Sequence, residues 1–276
     1  MEIRKYNFSE GSQLKELVQL QNEVYRDRNL HFSVDEFRLW YVANPEGEVI
    51  SYNAYENGRM IAHQALIPER MWVGERIVRC LRAMAVVTHP EYRGMGLLSI
   101  LTNRAIEDAR RQGYEFVYAV TNYNSFPVFI KHCDFKFVTR LHVKIGWGSK
   151  VSPNPNIMFH RHWTEESLVW RMSLGNYYHD GKHIYGKYSY GVETFMGTMD
   201  RPLLQKGVGR KNFSFHSLRP KLYVGIGARL PFTYWNVPHF IKRSPFNLIY
   251  RDLTEGKLPV MTADNVFYQL IDYDVA

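Results

Sequence analysis

The segment Arg93-Gly94-Met95-Gly96 has residue types and spacing that could do chemistry. It stands between an extended apolar run over 76–88 and an amphipathic stretch from Leu97. A strand, a tight loop and a helix are therefore predicted in that order. A helix start presents unpaired backbone N–H groups at the positive end of its dipole, so it receives anions. Glycines let the main chain curl close to a pyrophosphate, and Arg93 adds charge at the mouth. A tight turn alone would explain the glycines; the flanking order favours the phosphate. Gly207-Val208-Gly209-Arg210 is too generic to make a second such loop.

Other constellations carry less. His160 and His162, and His179-Asp180 with His183, have spacings a metal could use, but no supporting ligand set accompanies them, so no metal is expected. Cys133 follows His132, and sequence neighbours seldom form a nucleophile pair, so a packed cysteine is expected. The aromatic stretch from Tyr177 to Tyr190 reads as strand surface and core in preference to the wall of an acceptor pocket.

The elements that position the loop follow from periodicity. From Ser12, Leu14, Leu17, Val18 and Val24 recur at helical spacing. Ser33-Val34-Asp35-Glu36 reads as a capping box opening a helix with Phe37, Trp40 and Tyr41, ending before Asn44-Pro45. Strands over 50–55 and 59–66 are joined at Asn57-Gly58, a tight-turn signal. With 76–88 they make an antiparallel meander. Leu97, Leu101, Ala105 and Ala109 form the apolar stripe of the next helix, Gly113 caps it, and 116–120 is a buried strand. Phe126 starts another helical turn. Ser, Pro and Asn cluster over 149–156, which reads as a linker, so the domains expected are 1–148 and 149–276. A helix from Thr164 to Trp170-Arg171 follows. Glu36 precedes Trp40 and Glu166 precedes Trp170 by the same four residues, a faint sign of duplication.

The chain has 276 residues, 45% hydrophobic and 22% charged, with a net charge of +8 and 15% aromatics. Those values exclude a mainly disordered chain, and no apolar run approaches the ~20 residues of a membrane helix. Two cysteines exclude a disulfide framework, and a cytoplasmic protein is expected. Basic residues are scattered and form no stripe, so nucleic acid is an unlikely partner.

The ordered set from the strand through Thr88-His89-Pro90-Glu91-Tyr92, the Arg93, Gly96 and Leu98 loop, the helix and the strand ending at Asn122 resembles the GCN5-related N-acetyltransferase (GNAT) superfamily. The likeness spans 36–138 and is greatest over 84–135. The family signature is Arg or Gln, two residues, Gly, one residue, then Gly or Ala; Leu98 departs from it. The resemblance implies an α/β fold: a GNAT-like mixed central sheet with flanking helices, plus a smaller C-terminal α+β region packed on it as an extension or a degenerate second half. It implies that Val86, Val87 and Thr88 lie along pantetheine. Amides of Arg93, Gly94, Met95, Gly96, Leu97 and Leu98 would hold the pyrophosphate. Asn122, Asn124, Ser125 and Phe129 would complete the CoA groove, between two parallel strands that splay apart.

The activity implied is acyl-CoA-dependent N-acyl transfer to a small-molecule amine, with acetyl-CoA the default donor and no metal. A backbone N–H near Val86 would polarise the thioester, and the amine must lose a proton. The family often has a glutamate on the central strand, where this chain has Arg82 and Met84. It often has a tyrosine where Phe129 or Ile130 stands. His63 and Tyr123 are the substitutes considered. Residues 1–150 carry 20 Lys+Arg and 17 Asp+Glu, and 151–276 carry 15 and 10, so the excess of +5 in the second part favours an anionic acceptor such as a nucleotide-linked sugar over a neutral amine. A homodimer is left open. The rival is a CoA-binding module that has lost catalysis.

Overall fold

The computed structural model describes residues 1–6, 11–28, 30–189, 191–199, 210–211, 219–238 and 246–273. Tyr190 and the glycines at 207 and 209 lie outside them. The chain forms two compact units that interleave along the sequence. The first comprises 1–70, 78–137 and 249–258; the second comprises 71–77, 138–248 and 259–276.

The first unit opens with β1 (Glu2–Lys5), α1 (Gly11–Val24) and α2 (Val34–Tyr41). The capping box is formed. Ser33 Oγ accepts from the Glu36 amide at 3.2 Å, and Glu36 Oε2 accepts from the Ser33 amide at 2.7 Å. β2 (Ile50–Glu56) and β3 (Arg59–Val73) make the expected antiparallel hairpin. Asn57 and Gly58 both turn left-handed there, at φ 49° and 76°, as a two-residue hairpin turn demands. β3 runs to Val73, past the expected end at 66. The strand continues through Pro68.

β4 (Arg76–Thr88), α3 (Leu97–Arg111), β5 (Phe116–Thr121), α4 (Phe126–His132) and β6 (Lys136–Arg140) follow. All four stripe residues of α3, Leu97, Leu101, Ala105 and Ala109, are buried. The two leucines contribute about 1.5–3 kcal/mol each by burial. Leu97 and Leu101 pack on Ala54, Ile61 and Ala62 of the hairpin. A strand from much later in the chain, β17 (Asn247–Asp252), lies between β5 and β6 in a sheet ordered β1-β2-β3-β4-β5-β17-β6. Its Ile249, with Leu253 just beyond it, enters the core cluster of Leu66, Leu81, Val117 and Phe129.

The second unit contains β7 (His142–Gly146), β8 (Ser152–Pro153), β9 (Phe159–Arg161), α5 (Glu165–Ser173), β10 (Tyr178–His179), β11 (His183–Ser189), β12 (Val192–Thr198) and β13 (Arg210–Lys211). β14 (Lys221–Ile226), β15 (Ala228–Arg229), β16 (Trp235–Asn236), β18 (Val266–Gln269) and α6 (Leu270–Tyr273) complete it. The segment read as a linker is built into this unit: Val151 is buried and Ser152–Pro153 pairs with Ala228–Arg229. The tyrosine-rich stretch supplies core, with Tyr185 packed among Phe195, Tyr223 and Tyr234. Among the described residues no helix is long and apolar enough to cross a membrane.

Candidate active site

β4 and β5 run parallel in the register Cys80–Phe116, Leu81–Val117 and Arg82–Tyr118, and their pairing ends there. β4 continues to Thr88 and β5 to Thr121, so beyond Arg82 the two strands no longer pair with each other, while β3 still flanks β4 and the His89 amide just past it bonds to the Ile61 carbonyl. Within that stretch of β4 Ala85 adopts φ 53°, a left-handed conformation that costs a non-glycine residue about 1–2 kcal/mol. Strain of this kind persists where the surroundings impose it, and it breaks the side-chain alternation just before Val86.

A buried polar cluster sits at the point where pairing stops. Arg82 Nε donates to Glu69 Oε1 at 2.8 Å, and the Tyr118 hydroxyl donates to Glu69 Oε2. All three residues are buried, so three strands are tied by one carboxylate. Sequence reasoning noted Arg82 only as a missing glutamate. Its partners lie 13 and 36 positions away on other strands, and no local spacing points to them.

From Thr88 the chain passes through the 3-10 turn Pro90–Tyr92 into the glycine loop. Gly94 and Gly96 have φ 82° and 74°. A Cβ on Gly94 would meet nothing within 4 Å, so the backbone angle, and not crowding within the protein, calls for glycine there. Gly96 is the N-cap of α3, and the Ile100 amide bonds back to the Gly96 carbonyl at 3.1 Å. The amides of Leu97, Leu98 and Ser99 thus precede the helical ladder and are available to an anion. Arg93 is exposed beside them.

These parts face one groove of about 870 Å³. Val86, Val87 and Thr88 of β4, Arg93, Gly94, Gly96, Leu97 and Leu98 of the loop and helix start, and Asn122, Asn124 and Ser125 after β5 all line it. Leu98, the departure from the small-residue signature, also packs against the core beside Val86. Asn122 Oδ1 accepts from the amides of Asn124 and Ser125 at 2.9 and 3.1 Å and so shapes the start of α4. Sequence reasoning missed Val24 and Tyr25, which reach the groove from the end of α1, and also Tyr92, Ser99, Val128 and His132.

The other expected residues stand outside the groove lining. Met95 is 53% exposed at the loop tip, and Phe129 is buried in edge contact with Phe135, centroids 4.9 Å apart. His63 is sealed in the core: its Nε2 is 3.0 Å from the Tyr41 hydroxyl and its Nδ1 2.6 Å from Asn53 Oδ1. Burial pulls its pKa down to about 3, so the ring is neutral near pH 7. Tyr123 is 66% exposed. Cys133 is buried, and burial pushes its thiol up to about 11, which suits a packed cysteine and not a nucleophile.

Residues 3–127 match the family model of the acetyltransferase (GNAT) domain. No curated protein matches the chain in sequence. Among solved structures, a GCN5-related N-acetyltransferase from Anabaena variabilis aligns with TM-score 0.57 at 11% identity, over 92% of this chain and 74% of that one. One from Kribbella flavida aligns at 0.54 and 13%, over 91% and 71%. A protein from Enterococcus faecalis V583 aligns at 0.56 and 11%, over 91% and 72%. At these identities the likeness is one of fold.

Proposed function

With residues 3–127 matching the model of the GNAT acetyltransferase domain, we propose that the chain transfers an acyl group from acyl-CoA, by default acetyl-CoA, to the amine of a small molecule. The observation that carries this reading is the meeting of two features on one groove: a left-handed glycine loop at a helix start, and the end of β4 that has parted from β5. The groove fits CoA by chemistry as well as size. Backbone N–H groups from Gly94 to Ser99 and the Arg93 guanidinium suit a pyrophosphate, and the edge of β4 turned away from β3 offers backbone at Val86–Thr88 to an amide-bearing arm. Bound acyl-CoA supplies an activated thioester. The protein's part is to hold that arm in line with the amine and to aim a backbone N–H at the carbonyl, which supports direct transfer without a covalent enzyme intermediate. The excess of positive charge in 151–276 supports an anionic acceptor such as a nucleotide-linked sugar. The protein works in the cytoplasm in this reading.

A second reading, a CoA-binding module without catalysis, is favoured by the site's acid–base inventory. His63 is sealed away, Tyr123 stands outside the groove, and among the described residues no carboxylate lines it, which leaves Tyr25, Tyr92 and His132 as its acid–base side chains. Calorimetry with CoA, followed by thiol release from acetyl-CoA across a panel of amino sugars, nucleotide-linked amino sugars and simple amines, separates the two. Transfer requires both CoA binding and amine-dependent thiol release. Binding without release selects the module, and absence of CoA binding rejects both.

A further inference from the structure

The second unit carries an exposed aromatic corner that the acyl-transfer reading does not use. Its centre is the turn Pro231–Tyr234, in which the Tyr234 amide bonds back to the Pro231 carbonyl at 3.2 Å. The tip of such a turn ordinarily carries Gly, Asn, Asp or Ser. Here it carries Phe232, 96% exposed, more than any other large apolar side chain among the described residues. Trp235 follows on β16, opposite Ile145 of β7, which is in turn opposite Leu222 of β14. Partners point to one face, so the three form an apolar row across three strands. Ile145 and Leu222 are only half-buried, and Trp235 is exposed. Trp147, two residues past Ile145 and also exposed, meets Trp235 edge-on, with centroids 6.0 Å apart and 83° between planes.

The turn is held firmly against β7. Tyr234 is buried beside Tyr185 and Phe195, and its hydroxyl donates to the Gly148 carbonyl at 2.8 Å. Thr233 Oγ1 donates to the Trp147 carbonyl at 2.6 Å. A Cβ on Gly146 would fall 2.5 Å from the Thr233 carbonyl oxygen, so glycine is what lets the turn sit this close. Phe232 is thus kept in water by a fixed backbone, where its apolar surface gains nothing from packing.

The sequence around the corner has one sign of charge. Trp147 lies in the run 135–164, which carries 5 Lys+Arg and no Asp or Glu. Phe232 and Trp235 lie in the run 201–251, which carries 10 and none. Ser152–Pro153 pairs with Ala228–Arg229, so the two runs meet here, and Lys150 and Arg229 are exposed. The carboxylate linked to this corner is Asp180, through the Tyr185 hydroxyl that lies 3.0 Å from Ser149 Oγ. It already accepts from that hydroxyl and from the Lys182 and His183 amides.

Shape decides between the partners such a corner could meet. A projecting ring and two indoles at right angles make a poor platform for stacked bases. They suit a layer that yields around them, with anionic headgroups over fluid acyl chains. We propose that this corner docks the protein on an anionic phospholipid surface. Phe232 and the two indoles enter the interfacial layer, and Lys150 and Arg229 meet headgroup phosphates. This is contact with a surface; among the described residues no helix is long and apolar enough to span. It does not rest on the acyl-transfer reading.

The test uses the full chain and two kinds of vesicle, phosphatidylcholine alone and phosphatidylcholine with about 30% phosphatidylglycerol, read by co-sedimentation and tryptophan emission. The anionic vesicles are expected to carry the protein down and shift its emission to the blue. Neutral vesicles should bind about tenfold more weakly or worse. Phe232→Ser should weaken binding about tenfold or more, the scale of one aromatic ring withdrawn from an apolar layer. Its thermal midpoint should not move, because the ring is in solvent. Lys150→Gln and Arg229→Gln should each cost about fivefold, an effect that fades at high salt. Trp147→Phe together with Trp235→Phe should remove the blue shift while the vesicles still carry the protein down. Gly96→Trp should bind vesicles as the parent chain does. No sedimentation up to about 1 mM lipid, equal binding to neutral vesicles, full affinity in Phe232→Ser, or a blue shift that survives the double tryptophan change would each overturn the proposal. A chain that ignores vesicles but forms a salt-sensitive complex with a single-stranded oligonucleotide, lost in Phe232→Ser, would overturn it in favour of nucleic acid.

Discussion

The glycine loop over 93–98 and the buried Glu69–Arg82–Tyr118 cluster belong to the same unit, yet they are built on opposite principles. The loop is exposed and presents main-chain groups whose direction comes from two left-handed glycines. The cluster is sealed from water and consists of side chains. A main-chain site tolerates changes in its side chains and fails when its φ angles are denied. A buried side-chain cluster tolerates no loss of a partner, because the remaining charge has no solvent to turn to.

Substitutions can break that contrast. The largest effect is expected from Arg82→Met, which removes the guanidinium bonded to the buried Glu69 carboxylate; about 3–5 kcal/mol of stability should be lost in urea denaturation. A cost below ~1 kcal/mol would mean that the carboxylate is not held as a buried charge. Gly96→Trp should weaken CoA binding about 100-fold or more by calorimetry. Its stability cost should stay near the ~1–2 kcal/mol of a left-handed non-glycine residue, since the loop is exposed. Unchanged CoA affinity would remove the loop from the site.

His63 extends the buried side of the contrast to pH. The unfolded chain protonates this ring near pH 6.5, and the folded chain refuses the proton until about pH 3. Its contribution is therefore full above pH 6.5 and falls as pH drops through that window, by about 1.4 kcal/mol per pH unit. His63→Gln should flatten the stability–pH curve there; an unaltered slope would place the titration elsewhere. The smallest effect belongs to Met95→Ala. The side chain is exposed and does not line the groove, so CoA affinity should stay within about twofold and stability within about 0.5 kcal/mol.

The same contrast explains what the sequence could reveal. Asn57-Gly58, the Ser33–Glu36 box, the α3 stripe and the spacing of Arg93 and Gly96 are local signals, each confined to a turn or a few helical turns, and each formed as expected. The residues lining the groove were legible along the β4–loop–α3 segment for that reason. Tyr25 reaches the groove from a helix some 60 residues upstream, and Glu69 finds its partners across two strands; such meetings are set by tertiary packing and leave no spacing to read. Phe129 was misjudged by the same limit, because register alone does not tell which face of a short helix meets the core. The segment over 149–156 has the composition of a linker, yet Val151 anchors it by burial.

The strand β17 has a consequence for how the protein is made. Its Ile249, with Leu253 beyond it, fills the core under the groove, and Arg251 donates to the Asn103 side chain and to the Cys133 carbonyl at 3.0 and 2.7 Å, linking the strand to α3 and the end of α4. A ribosome delivers residue 137 roughly 5–20 s before residue 249. Throughout that interval the nascent first unit holds a gap between β5 and β6 with two open strand edges and an unfilled apolar slot. The core packed beneath Val86 and Leu98 is thus completed late in synthesis. A fragment ending at 148 would carry the whole glycine loop on a sheet still waiting for its sixth strand in spatial order.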